Sequence, residues 1–382
     1  MKRILLSLGV TLALVITLAC RKDQSVSVPD TGNIRVGVYA DLSGQGSAAG
    51  ASTRNGIELA KDEINQTGGI NGRQLECLFE DHKSLPDQAA AAADKLISQF
   101  KVHALIGGST PQANLAAAAK AQSGHVPLIT ISSGDAKVTQ QGDFIFGITP
   151  LISAQGKQMG TYAANNLKAK TAAILSEEGS EYGTSLAQSF ADEFGRLSGQ
   201  VLVRQTFSTA AGNLNLQLAG IHAANPDVIY IPVRLNAVAT IAKEAKQLGI
   251  KAVLLGADGW NDPAVLAAGG SAFDGAYITS HYSPDDPVQT ARAFSSSYQK
   301  RFGKSPDQTA ALAYDAIKLI ADALKRAGSA ESTKLRDALA HTSKFSGLTG
   351  SISIDADRNA SKPTIIFKLQ DGKIYPVYKE EQ

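Results

Sequence analysis

The sequence predicts two α/β lobes, each built around an open and mainly parallel sheet, with a cleft between them. From residue 34 onward, short β-branched runs alternate with helix-length segments rich in Ala, Leu, Lys and Glu. The same strand, turn and helix unit recurs on both sides of about residue 150, which fits two lobes better than one barrel. The chain of 382 residues is also too long for one ordinary core.

The first 19 residues are predicted to be a lipoprotein signal peptide. Lys2 and Arg3 precede an apolar or small run over residues 4–19, which is shorter than the roughly 20 residues of a membrane-spanning helix. The run ends at Thr17-Leu18-Ala19-Cys20, which resembles a bacterial lipobox except that Leu is commonest at the position of Thr17. We expect lipidation of Cys20, with cleavage by another peptidase or a retained anchor as the alternatives.

Residues 20–33 are predicted to be a membrane-proximal tether, because they are rich in polar residues and show no helical or strand period. The protein is therefore expected in the periplasm or at the outer face of the cytoplasmic membrane, held by a lipid anchor at Cys20.

The first repeating unit sets the pattern for the rest. A strand is predicted over residues 34–39, followed by a loop over 41–50 and a helix over 52–66. Ile57, Ala60 and Ile64 share one helix face, and Gly68 supplies the left-handed residue that ends the helix.

Later units repeat this order and then return to both lobes. Strands are predicted at 75–80, 103–106, 127–131, 171–175, 201–207, 228–231 and 253–255. Helices between them are predicted at 88–99, 114–122, 154–167, 185–197 and 237–248. After residue 282 come helices at 288–302, 309–327 and 333–341, then strands at 350–354 and 364–369.

Charge and cysteine content exclude several classes of function. Lys plus Arg is 37 against 35 for Asp plus Glu. A net charge of only +2 does not predict the strongly basic surface that nucleic-acid binding requires. The six His residues show no ligand spacing, and no metal site is expected. Cys77 lies in a predicted strand, where a lone Cys is usually a small buried hydrophobic residue.

No catalytic motif is complete, so we expect neither an enzyme nor a cofactor. Ser109 lacks the second Gly of a nucleophile elbow, and no phosphate-binding Gly-Lys-Ser/Thr loop is present. The Gly-rich stretch 44–50 follows a strand, but its spacing is one residue too long for a dinucleotide fingerprint. It is better explained as a turn at the cleft rim, and an exported enzyme is the weakest hypothesis.

Several motifs, taken in order, resemble the periplasmic branched-chain amino acid binding proteins of ABC importers. The resemblance covers residues 34–375. The motifs are Asp41-Leu42-Ser43-Gly44, Asn55-Gly56-Ile57-Glu58, Val126-Pro127-Leu128-Ile129, Ala224-Asn225-Pro226-Asp227, Leu255-Gly256-Ala257-Asp258, His281-Tyr282-Ser283-Pro284 and Ala313-Tyr314-Asp315-Ala316.

The resemblance implies a type I periplasmic binding protein fold, with two parallel-sheet lobes joined by three hinge crossovers. It places the crossovers near residues 149–153, 277–282 and 348–351. The N-terminal lobe would then comprise residues 34–150 and 280–348. The C-terminal lobe would comprise residues 151–279 and 349–382.

The resemblance also implies where a solute carboxylate would bind. In this family two loops at the ends of the third and fourth strands hold that group, and such loops suit an anion because they offer N–H groups and hydroxyls. Pro111 and Gly134 stand where relatives usually have Ser and Thr. The corresponding residues here are Ser109, Thr110, Gln112, Ser132, Ser133 and Gly134.

For a solute ammonium group the family uses two acids, and only one is kept. Asp258 matches an acid, whereas Ile152 replaces the other. Arg234 stands where a Tyr is common, and Tyr182 matches an aromatic that covers the ligand. Two alternatives are open: Arg234 could simply pair with Asp258, and Tyr182 could be a rim residue. Trp260 is expected to pack rather than to bind solute.

The function implied is capture of an amino acid or a related carboxylate-bearing solute by hinge closure, followed by delivery to an ABC permease in the cytoplasmic membrane. One-to-one capture needs no oligomer, so a monomer is expected. Two alternatives remain: a sensor of the same fold that signals to a membrane partner, and a binder of a non-amino-acid solute such as an amide or aromatic acid.

Overall fold

The computed structural model describes residues 32–108, 110–132, 134–208, 214–234 and 236–379, and two large sheets organise them. Within these ranges, no helix combines the length and the apolar character that crossing a membrane requires. The predicted signal peptide over residues 1–19, Cys20 and the tether up to residue 31 lie outside the described residues.

The first lobe has a five-stranded sheet in which every neighbouring pair is parallel. The strand order is β2-β1-β3-β4-β5. The strands are β1 (Ile34–Ala40), β2 (Leu75–Asp81), β3 (Ala104–Gly108), β4 (Leu128–Thr130) and β5 (Ile145–Gly147), and the helices between them are α1 (Ser47–Gln66), α2 (Pro86–Ser98), α3 (Pro111–Ser123) and α4 (Ala136–Thr139). Half-buried Cys77 of β2 packs against this lobe's core.

Helix α1 begins at Ser47, five residues before the predicted start. The Asp41 carboxylate accepts hydrogen bonds from the N–H groups of Gly44 (2.7 Å) and Gly46 (2.6 Å), which fixes the loop ahead of the helix. A Cβ on Gly50 would lie only 1.7 Å from the Asp41 carbonyl oxygen. The Gly-rich stretch is therefore partly the first turn of α1, packed tightly against the end of β1.

The second lobe has a seven-stranded sheet with the order β15-β14-β10-β9-β8-β6-β7. Its parallel strands are β6 (Thr171–Glu177), β7 (Gln200–Phe207), β8 (Val228–Tyr230), β9 (Val253–Gly256) and β10 (Tyr277–Ser280), and β14 (Ile365–Gln370) and β15 (Lys373–Lys379) join antiparallel. Helices α5 (Ile152–Asn165), α6 (Glu181–Arg196), α7 (Asn215–Ala224), α8 (Asn236–Gln247) and α9 (Pro263–Gly269) cover its faces.

After β10 the chain returns to the first lobe. It forms α10 (Gln289–Phe302), α11 (Gln308–Ala327) and α12 (Ser332–Ala340). Leu312, Ile317 and Ile320 of α11 belong to the first lobe's core together with Val36 and Ile106 of its sheet. Helix α11 therefore supplies one face of the first lobe, although it follows most of the second lobe in sequence.

The third crossover lies later than predicted. Strands β11 (Phe345–Gly347), β12 (Gly350–Ile354) and β13 (Ala360–Ser361) form a small sheet whose Ile352 and Ala360 pack in the first lobe's core. The chain joins the second sheet only at β14, so the crossover lies at residues 362–364. The predicted crossover at 348–351, and the assignment of residues 349–361 to the C-terminal lobe, are wrong, because β12 pairs with β11 and β13 and buries Ile352 in the first lobe.

The second crossover also differs from its predicted place at 277–282. Tyr277–Ser280 is strand β10, paired with β9 and β14 inside the second sheet. The chain leaves that sheet only after Ser280, and α10 does not begin until Gln289. The first crossover follows β5 and leads into α5, which begins at Ile152.

Candidate functional site

A cavity of about 90 Å³ lies between the lobes, at the carboxyl ends of the parallel strands, where open α/β sheets usually bind ligands. Residues from both lobes and from the crossovers line it. They are Ile131, Ser132, Gly134, Thr149, Pro150, Ile152, Gln155, Arg234, Asp258, His281, Gln308, Thr309 and Leu312.

Asp258 is the only acid among the described residues that line the cavity. It begins a 3₁₀ turn, Asp258–Trp260, directly after β9, and its side chain is 17% exposed. The Tyr182 hydroxyl donates to Asp258 Oδ1 at 2.5 Å. Nε2 of buried His281 lies 3.5 Å from Asp258 Oδ2, which is too long for a strong hydrogen bond.

The neighbours of Asp258 keep it ionised. Burial alone would raise the pKa of this carboxyl, but His281, the Arg234 charge and the Tyr182 hydrogen bond together hold it well below its usual range. Burial is the largest influence on His281 and lowers its pKa. The Lys362 and Arg234 charges lower this pKa further, whereas Asp258 raises it. The imidazole is therefore neutral at pH 7.

Arg234 follows β8 and stacks on an aromatic ring instead of forming an ion pair. Its Cζ lies 3.8 Å from the centroid of the Tyr182 ring. Among the described residues, no carboxylate lies within 4.0 Å of its guanidinium, so the direct Arg234–Asp258 ion pair considered above is not formed. A Cβ on Gly259 would lie 2.9 Å from Arg234 Cγ, so glycine leaves room for this side chain.

Tyr182 does not line the cavity, but it contacts both charged residues that do. It lies in the first turn of α6, and its oxygen accepts a hydrogen bond from the Gly259 N–H at 3.3 Å. The same hydroxyl donates to Asp258 while the ring supports Arg234. Tyr182 therefore orients both charged residues of the second lobe.

Gln308, at the first position of α11, connects the first lobe to this turn. Its Nε2 donates to the Asp258 carbonyl oxygen (2.9 Å) and to the Asn261 carbonyl oxygen (3.2 Å). Its Oε1 accepts from the Ser280 hydroxyl at 3.0 Å. The Asn261 amide also donates to Ser280 Oγ at 2.7 Å, which ties the end of β10 to the same network.

The first-lobe loops supply fewer of the predicted site residues. Ser132 and Gly134 line the cavity. Thr110 and Gln112 do not, and the Thr110 hydroxyl instead caps α3 by accepting from the Ala113 N–H at 3.3 Å. Ser109 and Ser133 lie outside the described residues.

Gly134 is held in place by the first crossover. Its N–H donates to Thr149 Oγ1 at 3.1 Å, and its carbonyl oxygen accepts from the Ile152 N–H at 2.9 Å. The residue has φ +50, and a Cβ there would lie 2.8 Å from the Pro150 carbonyl oxygen. Its backbone therefore shapes the loop, because both polar groups are already bonded within the protein.

Several cavity residues were not among those predicted. His281, Gln308, Gln155 and Thr149 come from the crossovers and from the helices that follow them. Trp260 packs as expected, because its side chain is buried and its indole N–H donates to the Ile231 carbonyl oxygen at 3.0 Å. Within the described ranges, no cluster of three or more metal-ligating side chains occurs.

Two α/β lobes, three crossovers and a polar cavity between the lobes define the class of two-lobed solute-binding proteins. Residues 33–373 match the periplasmic binding protein family, and the chain belongs to it. It is a solute-binding protein of an extracytoplasmic family and not an enzyme.

Relatives of assigned function place the chain near the branched-chain amino acid binding proteins of this family. The chain is 26% identical, over 84% of its length and 86% of the relative, to a leucine-, isoleucine-, valine-, threonine- and alanine-binding protein of Pseudomonas aeruginosa. It is 23% identical to a Leu/Ile/Val-binding protein homologue of Brucella melitensis, covering 90% of this chain and 93% of that one.

Solved structures agree with the fold. A branched-chain amino acid transporter substrate-binding protein of Streptococcus pneumoniae, in complex with isoleucine, is 32% identical with a TM-score of 0.81, covering 91% and 100% of the two chains. A solute-binding protein of Rhodopseudomonas palustris, in complex with 3,4-dihydroxybenzoic acid, is 25% identical with a TM-score of 0.79, covering 91% and 97%. The predicted family and fold class are confirmed.

Proposed function

We propose that this protein is the solute-binding component of an ABC importer, and that it captures a small carboxylate-bearing solute in the cavity between its lobes. The observation that carries the proposal is the presence of Arg234 in the cavity lining, with no carboxylate of the described residues within 4.0 Å of its guanidinium. A guanidinium presents a planar set of donors that matches a carboxylate in bidentate geometry.

The relatives support the same solute class. Isoleucine and 3,4-dihydroxybenzoic acid, bound to the two solved structures described above, differ in size and polarity but both carry a carboxyl group. We therefore include amino acids and aromatic acids in the class. Ile131, Ile152 and Leu312 add an apolar wall for the body of such a solute.

Closure of the two lobes around the solute is part of this proposal. Because the cavity takes residues from both lobes, a solute that contacts both favours their approach. The closed form would be the one presented to a permease in the cytoplasmic membrane. A lipid anchor at Cys20 would keep a monomeric receptor close to that permease.

The first experiment identifies the solute. The protein is purified from cells expressing the full chain and denatured, and the released small molecule is identified by mass spectrometry. We expect a compound with a carboxyl group. Isothermal titration with that compound should then show an affinity more than tenfold lower in Arg234→Gln than in the wild type. The matched control is Arg204→Gln, which changes an exposed arginine of β7 outside the cavity.

Two outcomes would contradict the proposal. If the Arg234→Ala, Ser132→Ala double variant binds the solute as tightly as the wild type, these two residues do not hold a solute carboxylate. Unchanged uptake of the solute in cells that lack the protein would argue against an importer and favour the sensor. Labelling with radioactive palmitate in the wild type and in Cys20→Ala tests the lipid anchor separately.

A further inference from the structure

We infer that His281 contacts the solute directly, and that Nε2 of its neutral ring and the Asp258 carboxylate together accept hydrogen bonds from one ammonium group of the solute. The inference rests on the proposed function and narrows its solute class to carboxylates that also carry an amino group. It depends on two polar atoms at the cavity that have no hydrogen-bond donor, and on the charges around them.

The first of these atoms is Nε2 of His281. This residue directly follows β10, lines the cavity and is only 3% exposed. Its Nε2 has no hydrogen-bond partner in the part of the chain that the structure describes. Leaving a buried polar atom without a partner costs free energy, and native proteins seldom do so. A solute group in the cavity can supply the partner.

The second atom is Oδ2 of Asp258. The Tyr182 hydroxyl donates to Oδ1 at 2.5 Å, whereas no described residue donates a hydrogen bond to Oδ2. His281 Nε2 lies 3.5 Å from Oδ2, so one small group can reach both atoms. Because an ionised carboxylate only accepts hydrogen bonds, the group that they share must be a donor.

The charges in the cavity select a cationic donor for this place. Asp258 is the only acid among the described residues that line the cavity, and no described carboxylate lies within 4.0 Å of the Arg234 guanidinium. Acid and base are therefore not neutralised by a direct ion pair with each other, and a buried carboxylate gains from a cation. A solute with an ammonium for Asp258 and a carboxylate for Arg234 matches both.

His281 can accept a hydrogen bond from an ammonium only while its ring is neutral. Burial lowers the pKa of the ring, the Lys362 and Arg234 charges lower it further, and Asp258 raises it. A neutral imidazole keeps a lone pair on one nitrogen, which is Nε2 when Nδ1 carries the proton. His281 and Asp258 then offer an ammonium two acceptors with a single negative charge. His281 thus supplies an acceptor although Ile152 replaces an acid in the cavity wall.

The solute class is tested by calorimetric titration of the purified protein. The compounds are the twenty standard L-amino acids and three acids without an amino group, namely isocaproate, hydrocinnamate and glutarate. We expect at least one amino acid to bind at least tenfold more tightly than all three amino-free acids. Binding confined to the amino-free acids would overturn the inference and leave the proposed function standing. No binding by any compound would count against both.

Two substitutions test the contact with His281. His281→Gln keeps an acceptor oxygen near the place of Nε2, and His281→Phe has a ring of similar shape without an acceptor. We expect affinity for the bound amino acid to fall at least tenfold in His281→Phe and less than threefold in His281→Gln. His222→Phe changes an exposed histidine of α7 outside the cavity and should bind like the wild type. Equal losses in the two His281 variants would contradict the inference.

A measurement on the wild-type chain does not depend on whether a buried substitution disturbs folding. With ¹⁵N-labelled histidine, the nitrogen chemical shifts of the His281 ring in the complex show which nitrogen carries the proton. The His281 signals are assigned by their absence from the spectrum of His281→Gln. We expect a proton on Nδ1 and none on Nε2 in the complex with the amino acid. A proton on Nε2 in that complex would overturn the inference.

Discussion

At the scale of single residues, Tyr182 links the acid to the base of the site. Its hydroxyl accepts from the Gly259 N–H and donates to Asp258, so its orientation is fixed from both sides. Its ring carries the Arg234 guanidinium at 3.8 Å. Because a stacked guanidinium keeps its edge free for a carboxylate, the ring prepares Arg234 for binding.

Tyr182→Ala removes both the hydroxyl and the ring, and we expect solute binding to weaken more than tenfold. Tyr182→Phe keeps the ring under Arg234 and removes only the hydrogen bond to Asp258, so it should weaken binding less. Isothermal titration of the released solute measures both. A loss below twofold in Tyr182→Ala would return Tyr182 to the status of a rim residue.

Sequence alone predicts part of this site. Tyr182, Arg234, Asp258 and Ile152 could be placed by resemblance. In the structure the last three line the cavity, and Tyr182 is bonded to Asp258. Gln308 could not, because its partner Asp258 is 50 residues away and no local pattern joins them. The capping role of Thr110 could have been predicted from sequence, because Thr followed by Pro is typical of a helix N-cap and the first helical position.

At the scale of elements, alternation predicts strands but does not say which sheet they join. Strand β1 follows from its β-branched residues, and β2 follows from the alternation of apolar and polar residues at its start. The short β5 was not predicted, because three residues give too little pattern. Strand β12 was predicted but assigned to the wrong lobe, since its placement depends on contacts with β11 and β13 and on burial of Ile352.

The crossovers also contain buried charge that the alternation of strands and helices does not indicate. Lys362, 6% exposed, lies in the third crossover and donates to Thr349 Oγ1 at 2.8 Å. The Thr349 hydroxyl in turn donates to Asp315 Oδ2 at 2.6 Å, and the Thr349 N–H donates to the same oxygen at 2.7 Å. Burial lowers the pKa of Lys362 to about 8, and the charge of Asp315 offsets only part of that effect.

We expect the contribution of Lys362 to stability to rise with pH. Its pKa is about 8 in the folded protein against an ordinary 10.5, so between these values the unfolded chain binds more protons. The free energy of unfolding of the wild type should therefore increase, relative to Lys362→Met, by up to about 3 kcal/mol from pH 7 to pH 10.

Urea unfolding at several pH values measures this difference. Lys373→Met changes an exposed lysine of β15 and is the control, which should run parallel to the wild type. A difference between wild type and Lys362→Met that is constant, or that falls with rising pH, would show that Lys362 does not lose its proton in the folded state over this range.

At the scale of the whole molecule, side-chain contacts join the two lobes, and two of them involve residues of the site or their sequence neighbours. Gln308 of α11 reaches the 3₁₀ turn of the second lobe. Lys137 of α4 in the first lobe contacts Glu181 at the start of α6 in the second, with Nζ 3.2 Å from Oε2. Glu181 precedes Tyr182, so this second contact lies beside the site and spans the two lobes.

The Lys137–Glu181 pair should favour the closed form only modestly. Both side chains are largely exposed, at 61% and 78%, and exposed ion pairs contribute about 0.2 to 1 kcal/mol. If the pair forms only when the lobes are close, Lys137→Ala should weaken solute binding by up to about fivefold, mainly through faster dissociation. Salt screens exposed charges, so the effect should shrink toward none at high ionic strength.

A double-mutant cycle isolates this contact from other effects of the substitutions. Lys137→Ala, Glu181→Ala and the double variant are compared by stopped-flow dissociation of the solute at low and high salt. Coupling between the two single substitutions at low salt, and its loss at high salt, is the expected result. Additive effects at low salt would mean that the ion pair does not distinguish the closed form from the open one. Closure would then depend on the solute and on the contacts of Gln308.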